Sequence, residues 1–130
     1  RIWNAENTIL AFDNDKIIGL AGIVKYHHIF HSGYIIVKKE YHSKGVCGFL
    51  HLKRKVEARK NCNILISWIN PGNKLSLELN RLNGAKHVGT REGILCFALT
   101  FNKKGQVLFY LLKAAFPIRK FLDNLKKNNT

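Results

Sequence analysis

The stretch that most constrains this chain runs from Tyr34 to Leu50, where an apolar, β-branched segment precedes a short glycine-containing turn and then a helical pattern. Such a strand–loop–helix unit can place backbone N–H groups around an anion, because a helix N-terminus carries about half a positive charge. Gly45 and Gly48 put no β-carbon in the way of a phosphate, and Lys44 adds a positive charge. These residues alone allow phosphate, pyrophosphate or no ligand at the loop.

The composition is typical of one globular domain. The chain has 130 residues and a hydrophobic fraction of 46%, so we expect a single domain over residues 1–130. It contains no methionine, which predicts that the sequence begins inside a gene product or after processing. No signal-peptide pattern and no apolar run of about 20 residues are present, so no membrane span is predicted. The three cysteines follow no metal-ligand pattern, which predicts reduced thiols, a cytoplasmic protein and no metal site.

The charge is the strongest compositional signal. Lysine and arginine number 22 against 8 acidic residues, which gives a net charge of +14. A field of that sign attracts polyanions, so the partners expected from composition are nucleic acid or an acidic protein. The alternative is that abundant lysine, asparagine and isoleucine simply reflect an AT-rich genome.

The predicted elements alternate between the two kinds of regular structure. The periodicity predicts strands over 7–12, 17–26 and 34–37, a helix over 45–60, a strand over 63–69, a helix from Asn73 to Gly84, strands over 86–89 and 94–101, and a helix over 106–125 interrupted at Pro117. Residues 27–33 are predicted as a connection. On the first helix, one apolar face is predicted for Val46, Phe49, Leu50 and Val56, and a mostly outward position for Lys53, Arg54, Lys55, Arg59 and Lys60. This order predicts a mixed α/β fold with a mostly antiparallel sheet flanked by helices. Aromatic residues give the last helix an apolar face, which packs on the sheet, binds a partner or, least expected, lies on a membrane.

Two motifs resemble one family. The run His42-Ser43-Lys44-Gly45-Val46-Cys47 resembles the Arg/Gln-x-x-Gly-x-Gly/Ala signature of the GNAT N-acetyltransferase superfamily, with His and Cys as departures that do not forbid the site. Asn73, Ser76, Leu79 and Gly84 match a second motif of that family, in which Ala85 replaces a Phe. The resemblance covers about residues 8–101 and implies a GNAT-like acyl-CoA N-acyltransferase fold. The family's usual opening strand and two helices are incomplete here, which leaves a fragment or compensation by the last helix as alternatives.

The resemblance implies acetyl-CoA as co-substrate and acetyl transfer to an amine. The thioester oxygen would accept a backbone N–H from Ile36 or Val37. The pyrophosphate would be bound at the loop by His42, Ser43, Lys44, Gly45, Val46 and Cys47. Asn73 and Ser76 would lie near the pantetheine or adenosine, although a helix cap and a solvated serine explain these two equally well.

The catalytic groups are the least defined part of the sequence. His31 lies near where some relatives place a catalytic Glu, and Glu40 is a second candidate base; a loop histidine and a solvated turn residue are the alternatives. Asn80 stands where the family often has a Tyr acid, and an amide supplies no proton. Water could replace that acid. Cys47 could be a nucleophile with a pKa lowered by the helix N-terminus and Lys44, although packing against the loop is the better-supported interpretation.

Three functions therefore compete. The first is an N-acetyltransferase with an acidic or nucleic-acid-associated acceptor, for which tRNA-acetylating toxins of the family are a precedent. The second is a non-catalytic GNAT-like basic module, such as a phage virion or nucleic-acid-binding protein. The third, a nucleic-acid-binding domain of another fold, is disfavoured because no recognition motif is present.

Overall fold

Runs of β-branched and aromatic residues form the strands, and the intervening segments with helical periodicity cross them as helices. The computed structural model describes residues 2–5, 8–26 and 30–118. Its strands are β1 (Ile2–Ala5), β2 (Thr8–Asp13), β3 (Lys16–Tyr26), β4 (Phe30–Val37), β5 (Ile64–Ile69), β6 (Lys86–Arg91) and β7 (Ile94–Thr100), and its helices are α1 (Val46–Asn61), α2 (Lys74–Leu82) and α3 (Lys103–Ala115). A 3₁₀ turn, Lys39–Tyr41, joins β4 to the loop before α1.

The described strands form one seven-stranded sheet in the order β1-β2-β3-β4-β5-β7-β6. Every neighbouring pair is antiparallel except β4 and β5, which are parallel. The sheet is thus mixed and mostly antiparallel, with helices on both faces, and the predicted fold class is confirmed.

Helices cover both faces of the sheet. On one face, Leu50 of α1 is fully buried in a cluster with Ile9 and Ala21. On the other, Leu112 of α3 is 1% exposed in a cluster that includes Ile66 of β5. The aromatic face of α3 therefore packs on the sheet through Phe109 and Phe116, whereas Phe121 lies outside the described residues. None of the helices described here is long and apolar enough to cross a membrane.

Several predicted boundaries were wrong. Strand β4 begins at Phe30, so His31 and Ser32 belong to a strand and not to a connection. Helix α3 begins at Lys103 instead of residue 106, because the Asn102 side chain accepts a hydrogen bond from Gly105 N at 2.8 Å and caps the helix. It ends at Ala115, and residues 119–125 of the predicted helix lie outside the described residues. Strand β1 was not predicted.

The inward face of α1 also differs from the prediction. Arg54 was predicted to point outward, yet it is 5% exposed, and Val56, predicted to face inward, is 46% exposed. The inner stripe consists of Leu50, His51, Arg54 and Ala58. On α2, Asn80 is buried while Leu75 and Leu82 are exposed. Polar side chains thus occupy positions that an apolar periodicity cannot identify.

Candidate functional site

The central feature of the site is a gap in the sheet. Strands β4 and β5 pair only at His31–Leu65 and Ser32–Ile66, and beyond these pairs the two strands diverge. Lys38 N donates to Ile18 O at 2.8 Å, so N–H groups at even-numbered positions of β4 face β3. Those of Ile35 and Val37 therefore face the gap, where β5 offers no partner.

A cleft of about 560 Å³ occupies the space between the diverging strands and the loop before α1. Its walls come from β4, the loop, the first turn of α1 and the start of α2. The lining residues are Ile35, Val37, Tyr41, His42, Ser43, Gly45, Cys47, Gly48, Asn73, Leu75 and Leu79. Most residues predicted to bind a phosphate-bearing cofactor thus line one cleft, whereas Lys44 and Val46 adjoin it in the chain.

The N-terminus of α1 opens onto this cleft without a side-chain cap. Gly45 occupies the N-cap position with φ 81° and, having no side chain, makes no capping hydrogen bond to the helix end. The first turn contains no acidic residue. Ser43, with φ 65°, also has a left-handed backbone, which curls the loop. The first amide N–H groups of α1 are thereby left for an external acceptor, in the arrangement that favours anions.

Two side-chain contacts fix the loop. The ring nitrogen Nε2 of His42 lies 3.0 Å from Val37 O, to which a protonated Nε2 donates, and this ties the loop to the end of β4. Tyr41 donates its hydroxyl hydrogen to Asp13 Oδ2 at 2.6 Å, and this bond raises the pKa of Tyr41. The Lys44 ammonium lies 5.6 Å from the centroid of the Tyr41 ring. The loop is therefore attached to β2 and β4.

The start of α2 forms the opposite wall. Asn73 caps this helix, because its Oδ1 accepts a hydrogen bond from Ser76 N at 3.1 Å. The Asn80 amide group donates to Ser76 O at 2.8 Å, so its hydrogen bonding is directed to its own helix. Asn73 is both a helix cap and a cleft residue, and Ser76 lines the cavity next to it.

A second cavity of about 200 Å³ continues the cleft toward the point where β4 and β5 diverge. The two spaces share Ile35, Cys47 and Asn73. Farther in, four buried polar side chains line the cavity: His51, Arg54, Ser67 and Asn80. This second cavity, called the deep cavity below, is therefore polar.

Burial controls the electrostatics of the deep cavity. Arg54 Nη2 donates to His51 Nδ1 at 3.2 Å, and since arginine only donates, the His51 ring must accept there. Burial, followed by the charge of Arg54, lowers the pKa of His51 to about 4, so its ring is neutral at pH 7. Burial also lowers the pKa of Arg54 to about 10, which leaves the guanidinium charged at that pH.

The two predicted catalytic residues lie away from these cavities. His31 lies in β4 beside Lys25 and Leu65, and it lines neither the cleft nor the deep cavity. Burial and then the Lys25 charge lower its pKa. Glu40 is exposed on the 3₁₀ turn and is not among the lining residues. The structure brings neither carboxylate nor imidazole from these positions to the cleft.

The structure also differs from expectation in the direction of the Ile36 N–H group and in the pKa of Cys47. Ile36 is 60% exposed, and the strand register directs its N–H toward β3 instead of the gap. Burial raises the pKa of Cys47, opposing the lowering that its position at a helix N-terminus suggests. Its thiol is thus protonated at neutral pH and is not activated as a nucleophile.

Sequence reasoning missed His51, Arg54 and Ser67. The signal was present on α1, because Cys47, His51, Arg54 and Ala58 recur at helical spacing and define one face. If polar residues had been allowed on the inward face of this helix, the spacing would have predicted that Arg54 is buried.

Comparisons with known proteins support the fold. No protein-family model and no curated protein matches the sequence. Among solved structures, YncA from Salmonella typhimurium with its cofactor acetyl-CoA has a TM-score of 0.65 at 17% identity, covering 74% of this chain and 65% of that one. An N-acetyltransferase from Staphylococcus aureus Mu50 has a TM-score of 0.67 at 21% identity, covering 73% of this chain and 67% of that one. An acetyltransferase of the GNAT family from Streptococcus pneumoniae has a TM-score of 0.58 at 21% identity, covering 74% of this chain and 68% of that one. The fold is that of GNAT acyl-CoA N-acyltransferases, as predicted, and the chain spans about two thirds of their length.

Proposed function

We propose that the chain binds an acyl-CoA, acetyl-CoA in the simplest case, and transfers its acyl group to an amine. The observation that carries this proposal is the divergence of β4 and β5 beside the uncapped N-terminus of α1. A cleft of about 560 Å³ joins these two features. The shared fold of YncA with its cofactor acetyl-CoA adds support.

The proposed binding mode follows from the positions of the hydrogen-bond donors around the cleft. The pyrophosphate accepts hydrogen bonds from backbone N–H groups of the loop over residues 43–47, while the Lys44 ammonium balances its charge. The pantetheine arm runs along β4 and uses the N–H groups of Ile35 and Val37, which face the gap. Asn73 and Leu79 form the opposite wall. The thioester then lies toward the deep cavity, nearer to Ile35 than to Ile36 or Val37.

The transfer itself requires little from side chains. A bond forms between the amine nitrogen and the thioester carbon, the carbon–sulfur bond breaks, the amine loses a proton and the CoA thiolate gains one. Asn80 is no acid, and the Nδ1 lone pair of His51 accepts from Arg54. Neither of these two side chains therefore transfers a proton, and we assign both proton transfers to solvent, which predicts a slow enzyme. The net charge of +14 favours an acidic or nucleic-acid-bound amine as acceptor.

Titration calorimetry with acetyl-CoA tests the proposal. Gly45→Glu should weaken binding at least about tenfold, because it places a carboxylate where the pyrophosphate binds. Gly93→Glu is a matched control: Gly93 has φ 79° against 81° for Gly45, and an added β-carbon would meet nothing within 4 Å at either position. Equal effects of the two substitutions, or no binding of millimolar acetyl-CoA by the folded chain, would contradict the proposal.

A non-catalytic GNAT-like module is the second candidate, and the Asn80 amide favours it because that side chain cannot protonate a thiolate. Release of free CoA thiol in the presence of varied amines separates the two functions. Tight acetyl-CoA binding without amine-dependent thiol release would favour the module.

A further inference from the structure

The deep cavity contains a buried charge that the fold does not neutralise. Arg54 is 5% exposed, and within the described part of the chain its guanidinium makes one hydrogen bond, to the neutral His51 ring. Among the described residues, no carboxylate contributes to the shift of its pKa, which burial lowers. Its Nε is buried and has no hydrogen-bond partner among the residues that the structure describes. An isolated buried cation is costly, and unsatisfied buried donors are rare, so this arrangement requires an explanation.

The surroundings of Arg54 leave space for a ligand on its cleft side. Gly33 lies one residue beyond the last β4–β5 pair, and a β-carbon there would lie 3.0 Å from Cδ and Nη1 of Arg54. The glycine thus admits the guanidinium to the point of divergence. The adjoining cavity of about 200 Å³ is several times the share of about 30 Å³ that one water molecule occupies in the liquid.

We propose that this cavity receives a substrate carboxylate, bound by the Arg54 guanidinium. Arginine offers a planar fork of N–H donors that matches the two oxygens of a carboxylate. The buried guanidinium supplies the charge, and Ser67 and Asn80 provide polar groups on the other walls. The carboxylate belongs either to the acyl group, as in a succinyl-type donor, or to the acceptor amine. It takes no part in bond making, so the acyl transfer balances as described above.

This inference rests on the proposed function for the position of the thioester. The first test compares succinyl-CoA with butyryl-CoA by titration calorimetry, because these acyl chains share four carbons and differ at the terminal carboxylate. If the donor carries the carboxylate, wild-type protein should bind succinyl-CoA about tenfold to hundredfold more tightly. Arg54→Met should remove that preference while changing the affinity for CoA itself by less than about twofold. Arg59→Met, on the exposed side of the same helix, should leave the preference unchanged.

The second test addresses the acceptor. β-Alanine and propylamine are titrated into the CoA-saturated protein, and an Arg54-dependent preference for β-alanine would assign the carboxylate to the acceptor. Arg54→Lys should retain part of either preference, because it keeps the charge and loses the fork. If Arg54→Met does not fold, Arg54→Lys replaces it, and an undiminished preference in Arg54→Lys would overturn the proposal.

The outcomes separate the two proposals. If CoA compounds bind and neither comparison shows a carboxylate preference, or if Arg54→Met retains it, the carboxylate proposal fails alone. If no CoA compound binds, the proposed function fails, and succinate is compared with succinamide on the free chain. Binding of succinate that depends on Arg54 would then support the carboxylate site, and equal or absent binding would overturn it.

Discussion

His51 connects the stability of the fold to pH. Its pKa is about 4 in the folded protein and about 6.5 when unfolded, because burial and Arg54 disfavour the charged ring. Between these values the unfolded state binds more protons, so the free energy of unfolding falls as the pH falls through this range. We predict a loss of about 2 kcal/mol from this residue between pH 7 and pH 5.

Urea unfolding of wild-type protein and His51→Gln at both pH values measures this contribution. Glutamine does not titrate, and its side-chain oxygen can still accept from Arg54. The variant should therefore lose less stability than wild type on acidification. An identical pH dependence for the two proteins would show that His51 is not buried as a neutral ring.

His42 is the second residue whose role can be isolated. Its ring bonds to Val37 O at 3.0 Å and positions the loop that we propose binds pyrophosphate. We predict that His42→Ala lowers acetyl-CoA affinity about threefold to tenfold, while the free energy of unfolding changes by no more than about 1 kcal/mol because the bond is exposed. His42→Gln should recover much of the affinity, since an amide can donate the same bond. Unchanged affinity in His42→Ala would exclude this positioning role.

At the scale of elements, α3 contributes to stability and not to the cleft. It covers the sheet face opposite to α1, and its Leu112 side chain is 1% exposed. We predict that Leu112→Ala lowers the free energy of unfolding by about 2–5 kcal/mol, as cavity-forming substitutions do. Leu111→Ala, at a side chain 60% exposed, should change it by less than about 0.5 kcal/mol.

The acetyl-CoA affinity of Leu112→Ala and Leu111→Ala tests whether α3 contributes to the cleft. At temperatures where both variants are folded, the affinity of each should equal the wild-type value. Weaker acetyl-CoA binding by Leu112→Ala alone would mean that α3 supports the cleft through the sheet.

The strand–loop–helix unit could be predicted from sequence because its signals are local. The apolar run before Lys38, the glycine at position 45 and the helical spacing after it lie within one short segment. The start of β4 could not be predicted in this way, since His31 and Ser32 are polar and the pairing that makes them a strand comes from Leu65 and Ile66. The gap between β4 and β5 likewise depends on two strands far apart in sequence.

The chemistry of the site shows the same limit. Helical spacing predicted where α1 begins after the loop. The burial of Arg54, in contrast, depends on the absence of a side chain at Gly33 and on Ser67 on the other side of the gap. An apolar periodicity assigns a charged residue to the solvent by default. The candidate base His31 was chosen because it lies near where some relatives place a catalytic Glu, and a position in the sequence does not reveal which side chains line the cleft.

At the scale of the whole molecule, the charge of +14 should act on any polyanion, because a field of this kind is not confined to one contact. We predict that the chain binds tRNA and that the affinity falls at least tenfold between about 50 and 200 mM salt, as counterion release requires. The double substitution Lys53→Glu and Arg59→Glu, at exposed positions of α1, should weaken tRNA binding, whereas Val56→Gln, exposed on the same helix, should not.

Filter binding across a salt series measures the slope, and excess acetyl-CoA tests whether tRNA occupies the cleft. Displacement by acetyl-CoA would indicate a shared site and would weaken a nucleic-acid-bound acceptor as the substrate. Simultaneous binding would be consistent with an amine presented on the nucleic acid. Weak tRNA binding that does not depend on salt would instead mean that the basic composition has no part in the choice of partner. The acceptor would then have to be recognised through the cleft and the deep cavity alone.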